Sequence, residues 1–298
     1  MISLSLRGRA EAGLVSVALI WGSTFIIVKD ALDEVSTLLF LALRFSLATG
    51  ALALLFRGKL SVEPERRRIT LKTGFLAGCC LFTGYFFQTL GLRYTTPSKS
   101  AFITGLSVLL VPFLAALVYR KAPLVPEVVG VAVATVGLGL LTLPPGRFSL
   151  GYGDSLTLAC AVAFAFHILV LARWSSRSSI ELLSVSQIGV TALLSLVVFG
   201  WAETPSFSWS GKVLGAVLIT GLLATALAFT IQVWAQRHTS ATRTALIFAI
   251  EPVSAAATSY AVTGEALTGR NLAGAVLILA GVLLVELKPF GLRSHPLG

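Results

Sequence analysis

Charge is scarce in this chain. Only 12% of its 298 residues are Asp, Glu, Lys or Arg, its mean hydropathy is +0.89, and its apolar residues fall in long unbroken runs. An ordinary soluble globule is excluded, because such runs need lipid. Acids are scarcer than bases, 13 against 23, so the net charge is +10. The cations sit in short gaps between apolar runs and form no stripe or tail, which argues against nucleic acid and for membrane topology. Cysteine is nearly absent. Cys79, Cys80 and Cys160 all lie in apolar segments without CxxC spacing, so no disulfide framework or metal site is expected and they read as small core residues. There is no Walker A, DDxxD or HExxH motif, and the three histidines are far apart. Alternating ten-residue segments are missing too, which excludes a barrel. Arg7 and Arg9 precede an apolar stretch that ends in Lys29 and Asp30 without a small-residue cleavage site. That stretch is read as a retained first helix, not a signal peptide.

What is present is ten apolar runs, most near the roughly 20 residues that cross a bilayer core. Helices are expected at about 14–32, 35–56, 71–92, 98–119 and 126–143, then at about 153–173, 180–201, 211–236, 241–262 and 269–286. With the N-terminus in the cytoplasm, the inner face receives Arg7, Arg9, Arg57, Lys59, Arg66, Arg67, Arg68, Lys72, Arg120, Lys121, Arg173, Arg177, Arg237, Arg243, Lys288 and Arg293. The outer face receives only Lys29, Arg93, Lys99, Arg147, Lys212 and Arg270. By the positive-inside rule both termini are expected to be cytoplasmic. Trp201 and Trp209, either side of Glu203 and Pro205, suit headgroup anchors or are incidental loop residues.

Shifted by 144 positions, residues 88–143 align without a gap on 232–287. Polar positions match as well as apolar ones: Gln88 with Gln232, Arg93 with Arg237, Thr95 with Thr239, Lys99 with Arg243. The glycines follow, Gly130 with Gly274 and Gly137 with Gly281. Each half holds five spans, an odd number, so the second must enter the membrane in the opposite orientation. The expected fold is all-α and integral to the membrane, ten transmembrane helices as two inverted five-helix repeats, residues 1–147 and 148–298. Such repeats supply two near-equivalent packings around a site near the midplane.

Several motifs point to one family: WGSTF at 21–25, the pair Arg44 and Phe45, and the turn at 93–100. Glu251 with Pro252, Gly264 with Glu265, and the Gly-rich last helix with Gly274 and Gly281 add to them. In their order and spacing the chain resembles the drug/metabolite transporter superfamily, in its ten-helix EamA-type branch, over nearly its whole length. The resemblance implies a central cavity mainly between helices 1, 3, 4, 6, 8 and 9, export of amino acids or other metabolites, and a bacterial inner membrane. The first half lacks the Glu-Pro pair, having Ser107 and Val108 there.

Among candidate site residues, Glu251 lies in an apolar helix, where an ionised carboxylate costs several kcal/mol unless paired or watered. That suits a proton-coupling group; the alternative is a bond to a neighbouring helix while Pro252 kinks its own. His167 could relay a proton or be a satisfied core histidine. Gln88 and Gln232, at equivalent positions, are expected to face a partner or a cavity. Lys99 and Arg243 start helices 4 and 9 and could attract anionic groups or snorkel to headgroups. Trp21, Tyr85, Phe102 and Phe229 would wall a pocket or face lipid. Arg44 is read as structural, bonding helix-end carbonyls or an acid such as Asp30. The glycines at 78, 84, 130, 137, 139, 215, 221, 274 and 281 are read as packing positions.

The expected function is a secondary transporter, without a cofactor or metal, exporting small neutral or amphipathic metabolites by alternating access, with or without proton coupling. An organic-anion or phosphorylated-metabolite exchanger is the alternative. An intramembrane lipid-modifying enzyme is the distant one, lacking clustered acids or histidines. Oligomeric state is not readable, since lipid-facing and partner-facing surfaces look alike.

Overall fold

The computed structural model describes residues 5–120, 122–143, 151–264 and 268–286. Lys121, Arg147, Glu265, Leu287, Lys288 and Arg293, used in the topology, repeat and motif readings, lie outside the described residues. The first half contains α1 (Leu6–Ala31), α2 (Thr37–Leu55), α3 (Pro64–Tyr94), α4 in two pieces (Pro97–Gly105 and Ser107–Tyr119) and α5 (Val125–Thr142). The second contains α6 (Tyr152–Trp174), α7 (Ile180–Ala202) and α8, which runs as Gly211–Gly221, a π-helical stretch Leu222–Leu227, and Ala228–Ala235. It closes with α9 in two pieces (Ala241–Phe248 and Glu251–Thr263) and α10 (Gly269–Glu286). Among the described residues nine segments are long and apolar enough to cross a membrane, and α10 is a shorter apolar helix. Large apolar side chains such as Leu54, Phe75, Phe113 and Leu117 stay exposed. That is what a lipid-facing surface requires and what water would punish.

Two helices begin earlier than their apolar runs. Ser5 accepts from the Gly8 N–H and Arg7 pairs with Glu11 at 2.6 Å, which carries α1 two turns beyond the hydrocarbon-spanning part. Glu63 precedes Pro64 at the first turn of α3, where proline's missing N–H costs nothing.

The breaks in α4 and α9 fall at equivalent repeat positions, Leu106 against Ala249 and Ile250. In α9, Pro252 has no N–H for the Phe248 carbonyl. In α4, Gly105 and Ser107 flank the break, a pairing that weakens a helix without proline.

Helices α5 and α10 are antiparallel and touch through glycines. A side chain on Gly130 would lie 2.8 Å from the Gly281 carbonyl, and one on Gly137 would lie 2.6 Å from that of Gly274. Gly130 is the repeat partner of Gly274, and Gly137 of Gly281, so each contact maps onto the other and a pseudo-two-fold axis passes between them. Gly78 and Gly84 are similarly pressed, against Val190 and Phe164. Two of the nine glycines depart from the packing expectation: Gly139 meets only Leu143, at 3.8 Å, and Gly215 meets nothing within 4 Å.

A small buried apolar cluster of Ala77, Leu171, Leu183 and Val233 and two large ones form the interior. One large cluster draws mainly on α4, α5, α9 and α10 with the first turns of α1; the other draws on α2, α3, α7 and part of α8 with the end of α1. Trp21 packs against both.

Repeat-related arginines do the same work at opposite ends. Arg93 donates to the Val35 carbonyl at 2.7 Å and to Thr37 Oγ1, holding the link from α1 to α2. Arg237 donates to the Ser178 carbonyl and holds the link from α6 to α7. The loop bracketed by Trp201 and Trp209 ties to the start of α2. Glu203 accepts from the Leu38 and Leu39 N–H groups at the start of α2, and the loop's strand-like bridge joins Val35 to Phe207.

Candidate functional site

A cavity enclosing about 850 Å³, counting the part open to solvent, lies among α1, α2, α3, α4, α6, α8 and α9. Its walls are built around the irregular helix segments, where backbone is freed from helical hydrogen bonding.

The WGSTF run supplies one wall. Gly22 lets α1 press on the α9 break, where an added Cβ would overlap the Glu251 carbonyl and sit 2.6 Å from Ser254 Cβ. Ser254 donates to the Leu19 carbonyl at 2.8 Å. The neighbouring Trp21 indole donates to the Ala224 carbonyl at 2.8 Å, inside the π-helical stretch. Its ring lies 5.1 Å from that of Phe229 and 4.9 Å from that of Phe248. Tyr85 adds edge-on contacts with Phe45 and Phe164 at 5.1 and 5.2 Å. These rings make an amphipathic cage.

Polar groups converge on it. Glu251 opens the second piece of α9 and lines the cavity beside Pro252, and among the described residues its carboxylate makes no hydrogen bond or ion pair. Its repeat counterpart Ser107 lines the cavity too. Gln88 donates to Thr104 Oγ1 at 3.2 Å. Gln232 donates to Gln236 at 3.0 Å, and its own buried Oε1 accepts nothing among the described residues. His167, 2% exposed, shares a 3.0 Å hydrogen bond with Gln187 Oε1, meets Phe229 edge-on and forms part of the cavity wall.

The structure thus brings together Trp21, Tyr85, Gln88, His167, Phe229, Gln232 and Glu251. Phe102, Lys99 and Arg243 are not among the lining residues. Phe102 is buried in the cluster with α5 and α9. Lys99 pairs with Asp154 of α6 at 2.6 Å, and Arg243 pairs with Glu11 of α1 at 3.4 Å.

Arg44 corrects the sequence reading. Its partners are neither carbonyls nor Asp30: Nε donates to Thr225 Oγ1 at 2.8 Å, Nη2 to the Tyr85 hydroxyl at 3.3 Å, and the side chain lines the cavity. Phe164, Phe248, Thr104 and Ser107 are further lining residues that sequence reasoning missed. Only Ser107 carried a signal, its alignment with Glu251.

Among the described residues ten apolar helices, seven of them lining an internal cavity, make a multi-pass membrane protein, and comparison with known proteins gives the transporter class. The EamA-like transporter family model matches twice, at residues 9–143 and 151–287, and the chain belongs to that family. It is 37% identical over 279 residues to an uncharacterized transporter of Archaeoglobus fulgidus, covering 94% of this chain and 86% of that one. It is 26% identical over 282 residues to the uncharacterized transporter YyaM of Bacillus subtilis, covering 91% of each. A solved crystal structure superposes with a TM-score of 0.75 at 19% identity, over 92% of this chain and 95% of the other, a likeness of fold.

Proposed function

We propose that this transporter exports small amphipathic metabolites, amino acids or related solutes, by alternating access, in the inner membrane of a bacterium with both termini in the cytoplasm. The observation that carries the reading is a pair of ion pairs related by the repeat, one at each end of the cavity. Lys99 of α4 meets Asp154 of α6 near the outer end, and Arg243 of α9 meets Glu11 of α1 near the inner end. Each ties the broken helix of one half to the first helix of the other half.

The two ends are not in the same state. Asp154 also accepts from Thr95 Oγ1 and the Gly151 N–H, both at 2.7 Å. The counterpart Thr239 Oγ1 is buried and has no partner among the described residues, and the inner pair is 0.8 Å longer. Different contacts at the two ends are what an inverted repeat adopts when it favours one of two packings. In this reading the cluster holding α4, α5, α9 and α10 rocks against the other, with Trp21 between them.

Glu251, which opens the second piece of α9, lines the cavity and has no hydrogen bond or ion pair among the described residues, is the group that takes up and releases a proton. The aromatic cage favours an apolar or aromatic solute body over a phosphorylated sugar.

The test is flux of labelled neutral amino acids, aromatic amino acids and organic anions in proteoliposomes, with and without a pH gradient. Gradient-driven flux that disappears in Glu251→Gln is the expected outcome. Gradient-driven flux that survives that substitution would remove Glu251 from coupling, and absence of flux for every solute would count against the substrate class.

A further inference from the structure

Five cations near helix ends are satisfied by a full or partial negative charge. Lys29, Arg93 and Arg237 take backbone carbonyls of Leu92, Val35 and Ser178, while Lys99 and Arg243 take the carboxylates of Asp154 and Glu11. These are the solutions a membrane protein uses for fixed cations near helix ends.

Arg44 is different. It lies within α2, is 4% exposed, and among the described residues has two hydroxyls as acceptors, those of Thr225 and Tyr85. No carboxylate among the described residues stands within ion-pair distance of it. Two of the five donors of its guanidinium are engaged, and the remaining donors belong to a side chain that lines the cavity. The plane is held in place: its Cζ lies 4.6 Å from the Tyr85 ring centre and 5.4 Å from that of Phe45. A desolvated positive charge without a counter-charge is costly, and a rigid guanidinium fork matches a carboxylate in a bidentate fashion.

We propose that Arg44 is the anchor for a carboxylate on the transported solute, which makes the substrate class a carboxylate-bearing molecule with an apolar or aromatic body. This rests on the transporter reading for its physiological meaning, not for its chemistry. The carboxylate sits on Arg44, and the body packs against Trp21, Phe164 and Phe229. Any amino group on the solute finds Gln232 and the Glu251 carboxylate among the lining residues.

The experiment uses the purified full chain in detergent and compares 3-phenylpropanoate with 3-phenylpropanamide, which differ only in the charged group, by ligand-induced thermal stabilisation and tryptophan fluorescence. The carboxylate is expected to bind about tenfold or more tightly than the amide. Arg44→Lys should keep part of the preference, and Arg44→Gln should abolish it at unchanged helix content and elution volume. Equal affinity of the two probes, no binding of the carboxylate, or an undiminished preference in a folded Arg44→Gln each overturns the assignment. If Arg44→Gln fails to fold, the wild-type comparison of the two probes decides. Proteoliposome flux separates the two readings. Carboxylate binding without flux of any solute would sink the transporter substrate class and leave the Arg44 site standing. Flux of neutral solutes without a carboxylate preference would do the reverse.

Discussion

At the scale of single residues, the WGSTF run shows how much work five positions can do. Trp21 closes the cage and satisfies a carbonyl of the π-helical stretch, while Gly22 permits the closest approach of α1 to α9. The substitution Gly22→Ala places a methyl against the Glu251 carbonyl, Ser254 and the Ala255 N–H. It should cost about 1–3 kcal/mol, as overpacking does, and lower the melting temperature read by fluorescence-detected size exclusion. An unchanged melting temperature would mean that α1 and α9 do not press together there. Glu251 is more exposed to chemistry than to packing. Its loss as Glu251→Gln should remove gradient dependence while leaving that melting temperature near the wild-type value, since no described partner is deprived of a bond.

At the scale of elements, the repeat makes matched predictions. Gly137→Ala would drive a methyl toward the Gly274 carbonyl at 2.6 Å, and Gly281→Ala toward that of Gly130 at 2.6 Å. Both should destabilise by a similar amount, about 1–3 kcal/mol. Gly215→Ala, with nothing within 4 Å, should instead stabilise α8 by up to about 1 kcal/mol through helix propensity. Thermal unfolding of the three variants checks this, and unequal costs for the first two would break the proposed symmetry of the contact.

The ion pairs make a second matched set. Asp154→Asn removes a charged acceptor from Lys99, Thr95 and the Gly151 N–H, worth about 1.5–3 kcal/mol. It should speed labelling of a cysteine at position 104 by a membrane-impermeant thiol reagent added outside, in a chain with Cys79, Cys80 and Cys160 replaced by Ala. Glu11→Gln should speed labelling from the inside instead. If neither rate moves, the pairs are not gates.

At the scale of the whole molecule, orientation follows from the distribution of cations between the two faces. A fluorescent-protein fusion at the C-terminus should glow, and a phosphatase fusion at the same point, active only outside, should be silent. The reverse pattern would invert every inner and outer assignment made above.

The sequence alone determined the number and type of elements. Apolar runs of bilayer length have one stable form in lipid, and matched polar residues such as Gln88 and Gln232 cannot arise from hydrophobicity alone. It also marked seven cavity residues, because a polar or aromatic side chain inside an apolar helix is conspicuous wherever it points. Direction was the part it could not carry. Phe102 and Phe229 look alike in a sequence, yet one packs against α5 and the other faces the cavity. Lys99 and Arg243 look like substrate cations until the fold brings Asp154 and Glu11 to them from distant helices. Arg44 looked like a fastener for helix-end carbonyls or for an acid such as Asp30, which lies in the helix before it. Only the packing of α2 against α3 and the π-helical stretch of α8 decided that its partners are two hydroxyls, which leaves its charge for the cavity.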